Sequence, residues 1–88
     1  MKVEFRSSFA KDLEKIKIKK LRLQVKEIIE NVEQAESTQQ IENFKKIRGS
    51  ANYFRIKMGD YRIGLILETD TIIFVRFLHG KDIYRYFP

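Results

Sequence analysis

The chain has 88 residues, 43% of them hydrophobic and 12% aromatic, which describes one globular domain over residues 1–88 with a modest core and no room for a second. It contains no cysteine and one histidine, so a disulfide framework, thiolate chemistry and a His/Cys zinc site are excluded. Eighteen Lys+Arg against twelve Asp+Glu give a formal charge of +6, a balance that favours polyanionic partners such as nucleic acid or an acidic protein.

The N-terminal MKVEFRSSF has no apolar signal-like stretch, and no run approaches the roughly 18 to 20 apolar residues that span a bilayer. The expectation is a soluble, cytoplasmic protein without a membrane partner. Lys2 to Arg6 alternates as a short strand with Val3 and Phe5 inward. Ser7 and Ser8 are N-cap residue types, and Phe9, Leu13 and Ile16 follow at helical spacing. The pattern blurs over Lys17 to Lys20 before Leu21, Val25, Ile28, Ile29 and Val32 define a second helix that runs to about Glu36. Ser37 to Gln40 reads as a connector, and Ile41, Phe44 and Ile47 as either a short turn or the lead-in to a sheet.

Three antiparallel strands are predicted next, over Tyr53 to Met58, Tyr61 to Glu68 and Thr71 to about Leu78. Gly59-Asp60 between two alternating runs signals a two-residue hairpin that sets Lys57 opposite Arg62 and Arg55 opposite Gly64. If Thr69-Asp70 is also a two-residue turn, Leu67 faces Ile72, Gly64 faces Val75 and Phe74 lies on the core side; a three-residue loop would reverse that. The fold class is therefore α+β: an N-terminal strand, a two-helix hairpin and a three-stranded antiparallel meander, with the helices packed on one face of the sheet.

Side chains alternate along strands, so Phe54, Ile56, Met58, Tyr61, Ile63 and Leu65 share the apolar face, while Arg55, Lys57 and Arg62 share the other and face water. Lys45, Lys46 and Arg48 precede them and add to the positive potential. Opposing Lys57 to Arg62 destabilises a sheet by up to roughly 1 kcal/mol, and an incoming phosphate would compensate. Gly64 leaves room there for a ligand or for Arg55 to fold down. The competing reading is a solvated face whose cations pair with Glu68 or Asp70. His79 fits a strand-end hydrogen bond as well as a catalytic role. In the tail KDIYRYFP, docking onto the domain is favoured over base stacking by Tyr84 and Tyr86. Asp12, Glu14 and the glutamates from 27 to 36 sit at helix-surface spacing and read as solubilising, so no paired-carboxylate site is found. A Gly-rich phosphate loop, a nucleophile elbow and a metal motif are also missing.

The segments KIRG (46–49), FRIK (54–57), GDYRI (59–63) and HGKDIYR (79–85), together with SSFAKDLEKI near the N-terminus, resemble in order the RelE/ParE superfamily of type II toxin-antitoxin toxins. In its RelE-like branch the resemblance implies ribosome-dependent cleavage of mRNA. The RNA 2′-hydroxyl would attack the adjacent phosphate, so that neither a metal nor another cofactor is needed. It implies catalytic roles for Arg55, Lys57, Arg62, His79, Lys81 and Tyr84, and RNA-phosphate contacts from Lys45, Lys46, Arg48 and Arg85. The implied partners are a cognate antitoxin, the ribosome and mRNA. Many relatives carry His-Arg where this chain has His79-Gly80, so Lys81 or Arg85 would have to supply the final cation. The alternatives are a ParE-like inhibitor of DNA gyrase and a non-enzymatic module that binds RNA or an antitoxin.

Overall fold

The computed structural model describes residues 1–88 as a five-stranded sheet with three α-helices. Strand β1 (Lys2–Phe5) leads into helices α1 (Ser7–Glu14) and α2 (Lys19–Gln34), so the break over residues 15–18 overlaps the start of the region where the helical pattern blurs. A 3-10 turn at Thr38–Gln40 then precedes β2 (Phe44–Lys46), β3 (Tyr53–Met58), β4 (Tyr61–Glu68), β5 (Thr71–His79) and α3 (Gly80–Tyr86). No helix is long and apolar enough to cross a membrane.

The sheet order is β1-β5-β4-β3-β2, antiparallel except for the parallel pair of β1 with β5. The β3–β4 hairpin matches the sequence pattern to the residue, and the segment after Ile41 proves to be an edge strand, with Phe44 opposite Ile56 and Lys46 opposite Phe54. Gly59 takes φ +59 in the β3–β4 turn, a conformation that suits glycine because it has no Cβ to clash. The second turn places Leu67 opposite Ile72 as expected, but a bulge at Gly64/Leu65 then shifts the pairing. Gly64 faces Arg76 instead of Val75, while Leu65 pairs with Phe74, which stays fully buried on the core side. A glycine inside a strand is a common bulge site, and the extra residue re-aims the side chains beyond it.

On one face, α1 and α2 bury Phe9, Val25 and Val32 against Ile56, Ile63, Leu65, Ile72, Phe74 and Phe77. The tail, expected only to dock, forms a third helix on the opposite face. There Ile83 and Phe87, one helical turn apart, pack with Ile47 beneath Tyr53, Val75 and Leu78. Helices therefore cover both faces, unlike the one-sided packing expected from the sequence. Asp12 is also not a solubilising surface residue. It is 6% exposed, its carboxylate accepts from Arg76 Nε at 2.7 Å and Nη2 at 3.1 Å, and it caps the Phe77 N–H at 2.9 Å. These hydrogen bonds raise the Arg76 pKa above the ordinary guanidinium value.

Candidate RNA-phosphate site

The β3–β4 register puts Arg55 opposite Gly64 and Lys57 opposite Arg62, and the β2–β3 register puts Lys45 opposite Arg55. Directly opposed residues project to the same side, so Lys45, Arg55, Lys57 and Arg62 share the face turned away from α1 and α2. None of them meets a carboxylate. The molecule's one salt bridge joins Arg76 to Asp12, so the pairing of the face's cations with Glu68 or Asp70 does not occur.

Arg62 is the most firmly held of the set. Its Nη1 donates to the carbonyls of Gly59 at 2.8 Å and Tyr61 at 2.9 Å, which anchors the guanidinium over the hairpin turn. Arg55 makes one long bond, Nη1 to the Asn43 carbonyl at 3.4 Å, and the exposed Lys57 ammonium has no side-chain partner. Gly80 bears on this arrangement. A Cβ added there would lie 3.3 Å from Arg62 Cζ and from the Asp60 carbonyl oxygen. The glycine thus leaves the space in which the Arg62 guanidinium sits.

Gly64 does not serve as expected. The Phe87 ring fills the space above it, and an added Cβ would come within 2.7 to 2.9 Å of three ring carbons. Phe87 is held there by an edge-on contact with Tyr53, the ring centroids 5.4 Å apart. The cationic face is consequently closed at its centre and open only around Arg55, Lys57 and Arg62.

The other sequence candidates divide. Lys46 is opposite Phe54, so it projects toward the α1/α2 side, and Arg48 lies exposed in the turn after β2. Lys81, Tyr84 and Arg85 lie at i, i+3 and i+4 on α3 and form its outer stripe, with Tyr84 63% exposed. His79 is opposite Tyr61 across the β4–β5 ladder and meets its ring edge-on at 5.6 Å. It therefore lies on the other side of the sheet from Arg62. Its Nδ1 accepts the Lys81 N–H at 3.3 Å and caps α3. Sequence reasoning missed the Phe87 plug, although Ile83 and Phe87 at helical spacing together with a strand glycine were its visible signals.

A small α+β domain that gathers unpaired cations on a rigid sheet face, with no carboxylate pair or nucleophile beside them, suits the stabilisation of phosphate charge. Residues 3–84 match the family described as the ParE toxin of type II toxin-antitoxin systems. The chain is 46% identical over 89 residues to Toxin RelE3 of Methanocaldococcus jannaschii, covering all of both chains. Among solved structures it is similar to the RelB-RelE antitoxin-toxin complex from Methanococcus jannaschii, at 44% identity and a TM-score of 0.81 over 97% of this chain and 99% of that one. The isolated Escherichia coli RelE toxin, at 18% identity and a TM-score of 0.65 over 98% of both chains, shares the fold. The chain belongs to the RelE/ParE superfamily of type II toxin-antitoxin toxins.

Proposed function

We propose that the protein is a ribosome-dependent mRNA endoribonuclease, held in check by a cognate antitoxin. The observation that carries this reading is the shared projection of Arg55, Lys57 and Arg62 from one sheet face without an acidic partner. Attack by an RNA 2′-hydroxyl on the neighbouring phosphorus needs no covalent protein group. It concentrates negative charge on a pentacoordinate phosphorane and expels the 5′ oxygen. Arg62, preorganised on two carbonyls, presents its remaining N–H groups to that charge, and Lys57 adds a mobile point charge directly opposite. Lys81, Tyr84 and Arg85 on the outer stripe of α3, with Lys45 on the same sheet face and Arg48 in the turn after β2, extend the surface for RNA backbone. Lys81 and Tyr84 are the candidates for taking the proton from the attacking 2′-hydroxyl and for delivering one to the leaving 5′ oxygen.

The 46% identity to a RelE toxin supports this branch of the superfamily. The RelB-RelE complex at 44% identity supports an antitoxin partner, for which an acidic segment would match the charge of the basic face. The test is cleavage of mRNA on programmed ribosomes. Wild-type protein cuts in the A-site codon, whereas Arg62→Ala and Lys57→Ala each lose about a hundredfold in rate, the effect of one preorganised group worth about 3 kcal/mol, and relieve growth inhibition with the fold intact. A fully toxic double variant would refute the assignment. The match to a family described as ParE toxins favours gyrase inhibition as the second reading. Loss of supercoiling activity with intact mRNA would establish it, and inactivity in both assays would leave a binding module.

A further inference from the structure

The outer edge of β5 carries a recess that the cationic face does not use. Strand β1 ends with Phe5 opposite Phe74, and α1 then takes over the edge. Ser8 Oγ donates to the Val75 carbonyl at 2.6 Å, and the Asp12 carboxylate accepts from Phe77 N at 2.9 Å. Helix α1 ends at Glu14. Beyond it, Gly80 N bonds inward to the Asp60 carbonyl at 2.7 Å while Phe77 N points outward. The alternation of an antiparallel ladder therefore turns the Phe77 carbonyl and the His79 N–H to the same open edge, away from β4.

These two groups open into a groove of about 410 Å³ whose walls include Lys15, Ile16, Tyr61, Arg76, His79 and Tyr86. Its size lies in the range of small-ligand sites. Tyr61 is fixed, with its ring stacked on Phe77 at 5.0 Å and 9°, while Tyr86 is 53% exposed. The one carboxylate in the walls, Asp12, is committed to Arg76 and to the Phe77 N–H, so Lys15 has no acidic partner.

We propose that this groove is a nucleobase-binding subsite. The Phe77 carbonyl and the His79 N–H present an acceptor beside a donor, which is what the edge of a base pairs with. Tyr86 offers a π-face for stacking, and Lys15 a cation for the attached phosphate. An added peptide strand fits less well, because only two edge groups are open between the Asp12 cap and the start of α3, too few to register a ladder. The subsite rests on the RNA reading above. Leu78, in the groove wall, lies opposite Arg62, so a base paired to the outer edge of β5 is about two strand spacings, ~10 Å, from the row that carries Arg62. The subsite would hold a base of the same strand whose phosphate meets that arginine.

The test separates this inference from the cleavage reading by using free AMP without ribosomes. Titration of 15N-labelled protein with AMP is expected to shift the His79 amide and the Tyr86 ring signals, and ribose 5-phosphate leaves both in place. Tyr86→Ala weakens AMP binding by about tenfold, within the range of one lost base stack, and Tyr86→Phe restores it. On programmed ribosomes Tyr86→Ala raises KM with kcat retained. AMP binding by a protein that cleaves no mRNA would keep the subsite and reject the nuclease. The subsite is overturned if AMP leaves the His79 amide unmoved, if ribose 5-phosphate reproduces the shifts, if Tyr86→Ala binds AMP as wild type does, or if an antitoxin peptide moves that amide and AMP does not.

Discussion

Replacing Gly64 by alanine places a Cβ 2.7 to 2.9 Å from three carbons of the Phe87 ring, closer than carbon atoms pack. The ring is 2% exposed and packs edge-on against Tyr53 over the sheet, so it has to move outward and carry the end of α3 with it. Overpacking of this kind costs about 1–3 kcal/mol, against a few tenths gained from the better strand propensity of alanine. Phe87→Ala alone costs about 3 kcal/mol by leaving the space empty. In the Phe87→Ala background, however, the Gly64→Ala methyl enters that vacated space. The double variant is then expected to be more stable than the sum of the two single effects by at least about 1 kcal/mol, a coupling that contacting residues show and distant ones do not. Urea denaturation of the four proteins reads the cycle directly, provided the slope is common to all of them. A Gly64→Ala protein as stable as wild type, or one whose loss persists undiminished without Phe87, would refute the plug.

Two further outcomes rest on the same geometry. Asp12→Ala leaves the Phe77 N–H and a three-quarters-buried Arg76 without their acceptor and is expected to cost about 2–4 kcal/mol in urea denaturation, whereas Glu14→Ala at the exposed end of α1 stays within about 0.5 kcal/mol. RNA affinity should fall with salt at a logarithmic slope of about −2 from Arg55, Lys57 and Arg62 alone, at roughly 0.7 per neutralised phosphate on single-stranded RNA, and more steeply where Lys45, Arg48, Lys81 and Arg85 also meet the backbone. A flat salt dependence would remove Arg55, Lys57 and Arg62 from the interface.

The features legible in the sequence and those hidden from it separate by range. The two hairpin turns and the strand alternation are local signals, and they placed Arg55, Lys57 and Arg62 on one face with their cross-strand partners. The bulge at Gly64 is a sheet-level adjustment, so local pattern carried the register past Leu67 correctly and then misassigned the partner of Gly64. Helix α3 has seven residues, too few to be stable by propensity, and exists because Ile83 and Phe87 dock on a surface formed by β3, β4 and β5. Asp12 has helix-surface spacing, and only a partner 64 residues away reveals that it is buried. The residues alone left His79 between a strand-end hydrogen bond and the catalytic role that the resemblance implies, and the β4–β5 register sends its side chain to the face opposite Arg62.

The central claim is that the RNA supplies its own nucleophile while the Arg62 face stabilises the phosphorane. The most direct measurement uses programmed ribosomes carrying an A-site codon with a single 2′-deoxy substitution at the scissile nucleotide. The account predicts that the all-ribose message is cut to a 2′,3′-cyclic phosphate end while the deoxy message remains whole. Cleavage of the deoxy message at an undiminished rate would contradict it.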